Sequence, residues 1–275
     1  MVDRTQINVA IAQTESGPDK QQNITRAVEL VKQAADEGAT VVALPETFDY
    51  RGEPSLIPSV AEPLPGSALL PLIALAAERR LWILAGSVHE TNGSTSMPYN
   101  TSALIDPSGT IIAVYRKIHL FDITLGDRSV VESEHYMPGT EIVSSEAAGM
   151  KVGLTICYDI RFPELYRRMA DLGADLIFIP SSFTATTGEA HWETLVRARA
   201  IENQCFVVAP GQAGIGGGGI PTYGNSMIVD PWGKVLARAP QSGEKIISAQ
   251  LNLDELAEIR RRLPALHNRK SSLFR

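Results

Sequence analysis

The 275-residue chain reads as an α/β fold made of two similar strand–helix–strand halves, with two sheets facing each other and helices outside. Three observations predict it. Gly38-Ala39-Thr40-Val41-Val42-Ala43-Leu44-Pro45 has a counterpart in Gly173-Ala174-Asp175-Leu176-Ile177-Phe178-Ile179-Pro180, each following a strand and a helix. Later in each half an aliphatic-Asp-Pro-X-Gly-X-aliphatic turn recurs, from Ile105 to Ile111 and from Val229 to Val235. Third, Val41 to Leu44 and Leu176 to Ile179 are apolar without interruption, as strands covered on both faces should be. Two copies are too few for a solenoid, and α/β folds of this length commonly form one unit, so residues 1–275 are read as a single domain.

Ile7 to Ala12 has the pattern of a buried strand. From Asp19 to Glu37, Ile24, Ala27, Val28, Val31, Ala34 and Ala35 recur at helical spacing, and Gly38 supplies the stop. Thr40 to Leu44 is a strand ended by Pro45, with Glu46 directly after it. A helix is expected from Ser67 to Arg80, a strand from Trp82 to Val88, and a polar loop from Thr91 to Met97. Thr101 to Ile105 and Thr110 to Tyr115 form a hairpin, because Pro107 presets the turn and Gly109 completes it. Lys117 sits just past that second strand. Leu120 to Thr140 has no clear period, and long loops inside compact folds tend to be functional.

The strand pattern Val152, Leu154, Ile156 comes next, then Cys157, then a helix opened by Pro163 and Glu164 and carried by Leu165, Tyr166, Met169 and Leu172 up to Gly173. Asp175 to Ile179 is a strand closed by Pro180, Ala190 to Gln204 a helix, and Phe206 to Ala209 a strand. Gly211 to Gly219 reads as a mobile loop. It lacks both the spacing and the adjoining helix of a phosphate cradle. Ser226 to Val229 pairs with Val235 to Ala239, Lys245 to Leu251 is the last strand, and Asp254 is expected to cap a helix ending before Pro264.

Composition narrows the function classes. A net charge of −6 argues against a nucleic-acid surface, which needs clustered Lys and Arg, and the basic residues Arg260 to Arg262, Arg269, Lys270 and Arg275 read as a solvated helix face and tail. No apolar run approaches the roughly 20 residues of a membrane span. Cys157 and Cys205 are too few for a disulfide framework, and Asp3 and Arg4 lead straight into a strand pattern rather than a signal peptide, so a reducing cytoplasm is the expected setting. The five histidines show no metal-ligand spacing.

Cys157 lies where a strand turns into a helix, where backbone N–H groups and a helix dipole would favour a thiolate. A buried core cysteine is the competing reading, and it is the one adopted for Cys205. Glu46 and Lys117 also stand at element ends, although a turn-capping glutamate and a surface lysine would look the same. A thiol nucleophile needs a base for its proton, and acyl transfer needs positive or donor groups at the developing oxyanion; Glu, Lys and Cys supply these without histidine.

At these residues the chain resembles the nitrilase superfamily of carbon–nitrogen hydrolases. The matching segments are L-P-E-T-F at Leu44 to Phe48, Y-R-K-I-H-L-F-D at Tyr115 to Asp122, and G-L-T-I-C-Y-D-I-R-F-P-E-L at Gly153 to Leu165. The resemblance implies a four-layer αββα sandwich of two facing mixed sheets, and a homodimer. It also implies Glu46 as general base, Lys117 as oxyanion stabiliser, Cys157 as nucleophile and the Tyr158 N–H as second oxyanion donor. A further family glutamate matches V-V-E-S-E-H-Y-M-P-G at Glu132, seven residues before Gly139, with Glu134 as its rival. The segments Thr186 to Ala209 and Tyr223 to Gly233 look closest to Nit-type amidases that hydrolyse deaminated glutathione, with omega-amidases as a sister branch; carbamoyl and nitrile hydrolysis use the same triad. Both amide substrates carry carboxylates, so a cation is expected in the pocket. Arg161 matches a carboxylate-binding arginine of related carbamoylases, its alternative being an ion pair with Glu164 or another acid. Tyr50 and Phe183 are candidates for the entrance. No cofactor or metal has a role in this chemistry, and the different-class alternative is a non-catalytic scaffold.

Overall fold

The computed structural model describes residues 5–93, 97–125, 128–270 and 273; Asp3, Arg4, Arg275 and part of the polar loop expected between Thr91 and Met97 lie outside them. In chain order the first half contains β1 (Gln6–Gln13), α1 (Lys20–Asp36), β2 (Val41–Ala43), α2 (Ile57–Val60), α3 (Gly66–Arg79), β3 (Trp82–Glu90), β4 (Tyr99–Ile105) and β5 (Ile111–Arg116). A short ribbon, β6 (Asp122–Leu125) and β7 (Arg128–Val131), then leads into a 3-10 turn, Glu132–Glu134. The second half contains β8 (Val143–Ala147), β9 (Met150–Leu154), α4 (Pro163–Asp171), β10 (Leu176–Phe178), α5 (Ala185–Asn203), β11 (Phe206–Ala209), β12 (Met227–Val229) and β13 (Val235–Arg238), and β14 (Lys245–Asn252) and α6 (Leu253–Arg262) close the chain.

The internal echo extends to topology. One sheet runs β14-β1-β2-β3-β4-β5 and the other β8-β9-β10-β11-β12-β13. In each the second, third and fourth strands are parallel, and the outer pairings are antiparallel. Both sheets are therefore mixed, and β2 and β10 hold equivalent places.

Alternation along each strand builds the layers. On β1, Val9 and Ile11 join Val152, Leu154 and Val208 in a core shared by the two sheets. Ala10 and Ala12 point the other way, into a core with Ile24, Ala27 and Val31 of α1 and Leu69, Leu72 and Ala76 of α3. Leu165, Tyr166 and Met169 of α4 and Trp192, Val196 and Ala200 of α5 cover the second sheet.

Four local readings change. The region from Leu120 to Thr140 contains the ribbon β6–β7, whose four-residue strands are too short to establish a hydrophobic period. Helix α5 starts at Ala185 rather than Ala190, because Thr184 caps it by accepting from the Thr187 N–H. The last helix is capped by Asn252, whose side chain accepts from Asp254 N–H at 2.9 Å and Glu255 N–H at 3.3 Å, so Asp254 belongs to its first turn. The glycine-rich segment is packed rather than free: a Cβ on Gly217 would stand 1.8 Å from the Gly52 carbonyl, and Arg51 donates to the Ala213 carbonyl at 3.1 Å.

Candidate active site

Glu46 follows β2 on a turn pressed against β3. Gly86 makes this possible, since a Cβ there would lie 1.8 Å from the Leu44 carbonyl and 2.3 Å from that of Pro45. Thr47 then takes φ 49°, with its N–H donating to Ser87 Oγ at 2.8 Å. Cys157 opens a 3-10 turn, Cys157–Arg161, beyond β9; it too has φ 49°, and its N–H donates to the Pro180 carbonyl at 2.9 Å. Left-handed φ at residues other than glycine is costly and clusters where a side chain must be presented in one direction.

The loops of the two halves meet here. Lys117 Nζ, 2% exposed, donates to Glu46 Oε1 at 2.9 Å and to Glu132 Oε1 and Oε2 at 2.9 and 2.7 Å. Glu46 Oε2 accepts from the Ser182 N–H, just past β10, at 2.7 Å, and Glu132 Oε2 accepts from the Phe121 N–H at 2.6 Å. Cys157 is buried beside them, its thiol under the influence of the Glu46 carboxylate. Glu134 is exposed, so of the two rivals it is Glu132 that lies on the ammonium.

Electrostatics assigns protons. Burial, then the Glu46 carboxylate, pushes the Cys157 thiol well above its ordinary range, against a smaller opposing pull from Lys117. The thiolate expected from turn position alone is therefore not the resting form, because dehydration and a neighbouring carboxylate outweigh the local N–H groups. Burial is the largest influence on Lys117 and would lower it, yet Glu132 and Glu46 together hold the ammonium well above its usual value. Glu132 is raised, first by burial and then by Glu46, with Lys117 opposing. Cys205, by contrast, is a core thiol pushed up to about 12 by burial.

Several residues of this site carried no signal that single-sequence reading picks out. Asp159, fully buried, accepts from the Tyr115 hydroxyl at 2.6 Å, the Ile156 N–H at 2.8 Å and the His119 N–H at 3.0 Å, and lies 2.7 Å from His119 Nδ1. It ties the segment after Lys117 to the turn holding Cys157, and His119 supports the lysine's turn. Asn100 donates to both glutamates. Gln212 donates to the Glu46 carbonyl at 3.0 Å.

The expected binding residues divide. Arg161 is half-buried, its guanidinium 5.3 Å from the Phe183 ring centre and 3.3 Å from His191 Nδ1. Among the described residues its ion pair with Glu164 or another acid does not form. Phe183 is buried against Trp192. Tyr50 is a wall rather than an open rim: it is buried with its ring edge on His89, and its hydroxyl donates to the Glu53 carbonyl at 3.3 Å. Among the described residues no three His, Cys, Asp or Glu side chains group as metal ligands, and no helix is long and apolar enough to cross a membrane.

A family model for carbon–nitrogen hydrolases matches residues 8–261. The deaminated glutathione amidase of Homo sapiens is 43% identical over 273 residues, spanning 97% of this chain and 83% of that protein. The omega-amidase NIT2 of Homo sapiens is 38% identical over 271 residues, spanning 98% and 97%. Among solved structures, the C. elegans NitFhit protein superposes with a TM-score of 0.90 at 36% identity; the match covers 98% of this chain but only 66% of that longer one. Saccharomyces cerevisiae Nit3, described as a member of branch 10 of the nitrilase superfamily, gives a TM-score of 0.87 at 32% identity over 97% of each chain.

Proposed function

Because this chain belongs to the carbon–nitrogen hydrolase family, we propose that Glu46, Lys117, Glu132 and Cys157 form the reacting centre of a thiol-dependent amidase, and that its substrate is deaminated glutathione. The observation that carries this reading is the meeting of Lys117 with both glutamates beside a buried, protonated thiol.

Glu46 takes the Cys157 proton as sulfur attacks the amide carbonyl, so the thiolate exists only as the S–C bond forms. The Lys117 ammonium and the Tyr158 N–H, in the first turn of the 3-10 segment where N–H groups lack intrahelical acceptors, hold the oxyanion. Glu46 returns its proton to the leaving nitrogen, the C–N bond breaks, and a thioester remains. Water attacks that thioester as Glu46 removes its proton; the carboxylic acid departs and the thiol is restored. Glu132 grips Lys117 through both oxygens and keeps the ammonium beside the carbonyl. No metal or organic cofactor has a step in this cycle.

Arg161, a cation with no carboxylate partner among the described residues, would bind a substrate carboxylate, with Phe183 and Tyr50 shaping the walls. The chain would act as one catalytic unit in the cytoplasm and pair as a homodimer; Ile201 and Trp232 are exposed apolar side chains suited to such contact. Acid and amine release from deaminated glutathione, alpha-ketoglutaramate, an N-carbamoyl amino acid and a simple nitrile tests the assignment. Preference for alpha-ketoglutaramate would move it to the omega-amidase branch, and no turnover of any of the four would favour a binding scaffold. Cys157→Ala is expected to abolish turnover with the fold intact while Cys205→Ala changes little; equal loss from both would sink the thiol mechanism.

A further inference from the structure

Asn100 lies on β4, 1% exposed, in a strand setting that disfavours asparagine. Its Nδ2 donates to Glu46 Oε1 at 2.9 Å and to Glu132 Oε1 at 3.3 Å, while its main-chain carbonyl accepts the Lys117 N–H at 2.9 Å. Its own Oδ1 is buried with no partner, a cost that an apolar side chain of the same shape would not carry. The amide orientation follows from its neighbours, since a flipped amide would set oxygen against two carboxylates.

Two carboxylates around one ammonium leave one negative charge in excess, and the Lys117 ammonium, already bonded to both, is also needed at the oxyanion. A neutral group with two N–H bonds on a single atom can bridge the two Oε1 atoms without adding charge or competing for the proton. We infer that Asn100 is a positioning residue for this reaction: its Nδ2 clamps Glu46 and Glu132 at a fixed separation and favours their ionised form, so that Glu46 faces the thiol as a base. This rests on the catalytic reading above. The titratable and charged groups around the pair are Lys117, Cys157, Tyr136 and Arg51, with Asp49 facing Tyr136. None of them occupies the position of the Asn100 amide.

Asn100→Leu removes the donor and the orphan oxygen together while keeping the branched outline and the same number of side-chain heavy atoms. With one donor fewer the pair keeps its proton to higher pH, so the acidic limb of the kcat/KM profile should rise by about one pH unit; with the two carboxylates no longer held at a fixed separation, kcat at pH 7 should fall on the order of 100-fold. The urea midpoint should fall only slightly, since the weaker hold on the carboxylates is partly offset by loss of the unpartnered oxygen. A rate within about threefold of the parent with an unmoved limb overturns the inference, as does a loss that tracks a lowered midpoint while the limb stays put. Should the leucine variant not fold, Asn100→Thr, whose hydroxyl is too short to bridge both glutamates, carries the same expectation and the same overturning result. Cys157→Ala is assayed alongside: activity surviving there sinks the catalytic reading, whereas a dead Cys157→Ala with a fully active Asn100→Leu sinks only this inference.

Discussion

Cys157 shows how a side chain's surroundings outrank its place in the chain. Its turn offers N–H groups, yet burial and Glu46 keep the thiol protonated. Alkylation by iodoacetamide should therefore follow a titration lying above the ordinary thiol range, and Glu46→Gln, by deleting the nearest negative charge, should move that titration to lower pH while abolishing turnover. A profile unchanged by Glu46→Gln would show that the two groups are not coupled. Slow alkylation of the resting protein thus cannot mark it as a scaffold. Lys117 gives a second expectation. Lys117→Met leaves two buried carboxylates facing each other and should cost about 3–5 kcal/mol at pH 7 in urea unfolding. Losing the ammonium raises Glu132 further above its unfolded value; the loss should then shrink as the pH falls and that carboxylate takes up a proton. A loss that grows on acidification would contradict this account. Glu46, Lys117 and Cys157 stood out in the sequence because each sits at an element end with a chemically active side chain. Asn100 and Asp159 did not, since their roles exist only through partners 54 and 32 residues, and 44 and 40 residues, away.

Among the elements, the parts that punctuate themselves were legible. Both Asp-Pro-X-Gly turns and the apolar strands β2 and β10 lie where the sequence places them. What stayed hidden were elements made by capping or by very short strands, namely the start of α5 and the ribbon β6–β7. The contact between β3 and the turn before Glu46 yields an expectation of its own. Gly86→Ala forces a methyl into the Leu44 and Pro45 carbonyls, which must shift and carry Glu46 with them. We expect kcat to fall at least tenfold, since an ångström of misplacement in a reacting group can cost about 100-fold. Near-parental kcat in a folded Gly86→Ala protein would show that this strand contact does not set the glutamate.

For the molecule as a whole, the core between the sheets decides cooperativity. Val9, Ile11, Val41 and Leu84 of one sheet pack with Val152, Leu154, Phe178 and Val208 of the other, so neither half keeps its apolar face covered alone. Urea unfolding should accordingly be one transition, coincident by circular dichroism and by fluorescence of Trp82 and Trp192, which report on different halves. Ile11→Ala should lower it by about 2–5 kcal/mol without splitting it. Two separated transitions would mean that the halves are independent units.

From residues alone came the duplicated α/β architecture and the three segments bearing the acid, the lysine and the thiol, while the kind of bond they act on came through the family those segments resemble. These are properties of local pattern: hydrophobic period, turn chemistry and side-chain type survive in the linear chain. The contact of Lys117 with Glu132 and not Glu134, the burial that pushes the Cys157 thiol up, and the Asn100 and Asp159 bridges arose only when the two sheets closed. Each depends on distance and dehydration between groups far apart along the backbone, and a charge's neighbours come into being with the fold.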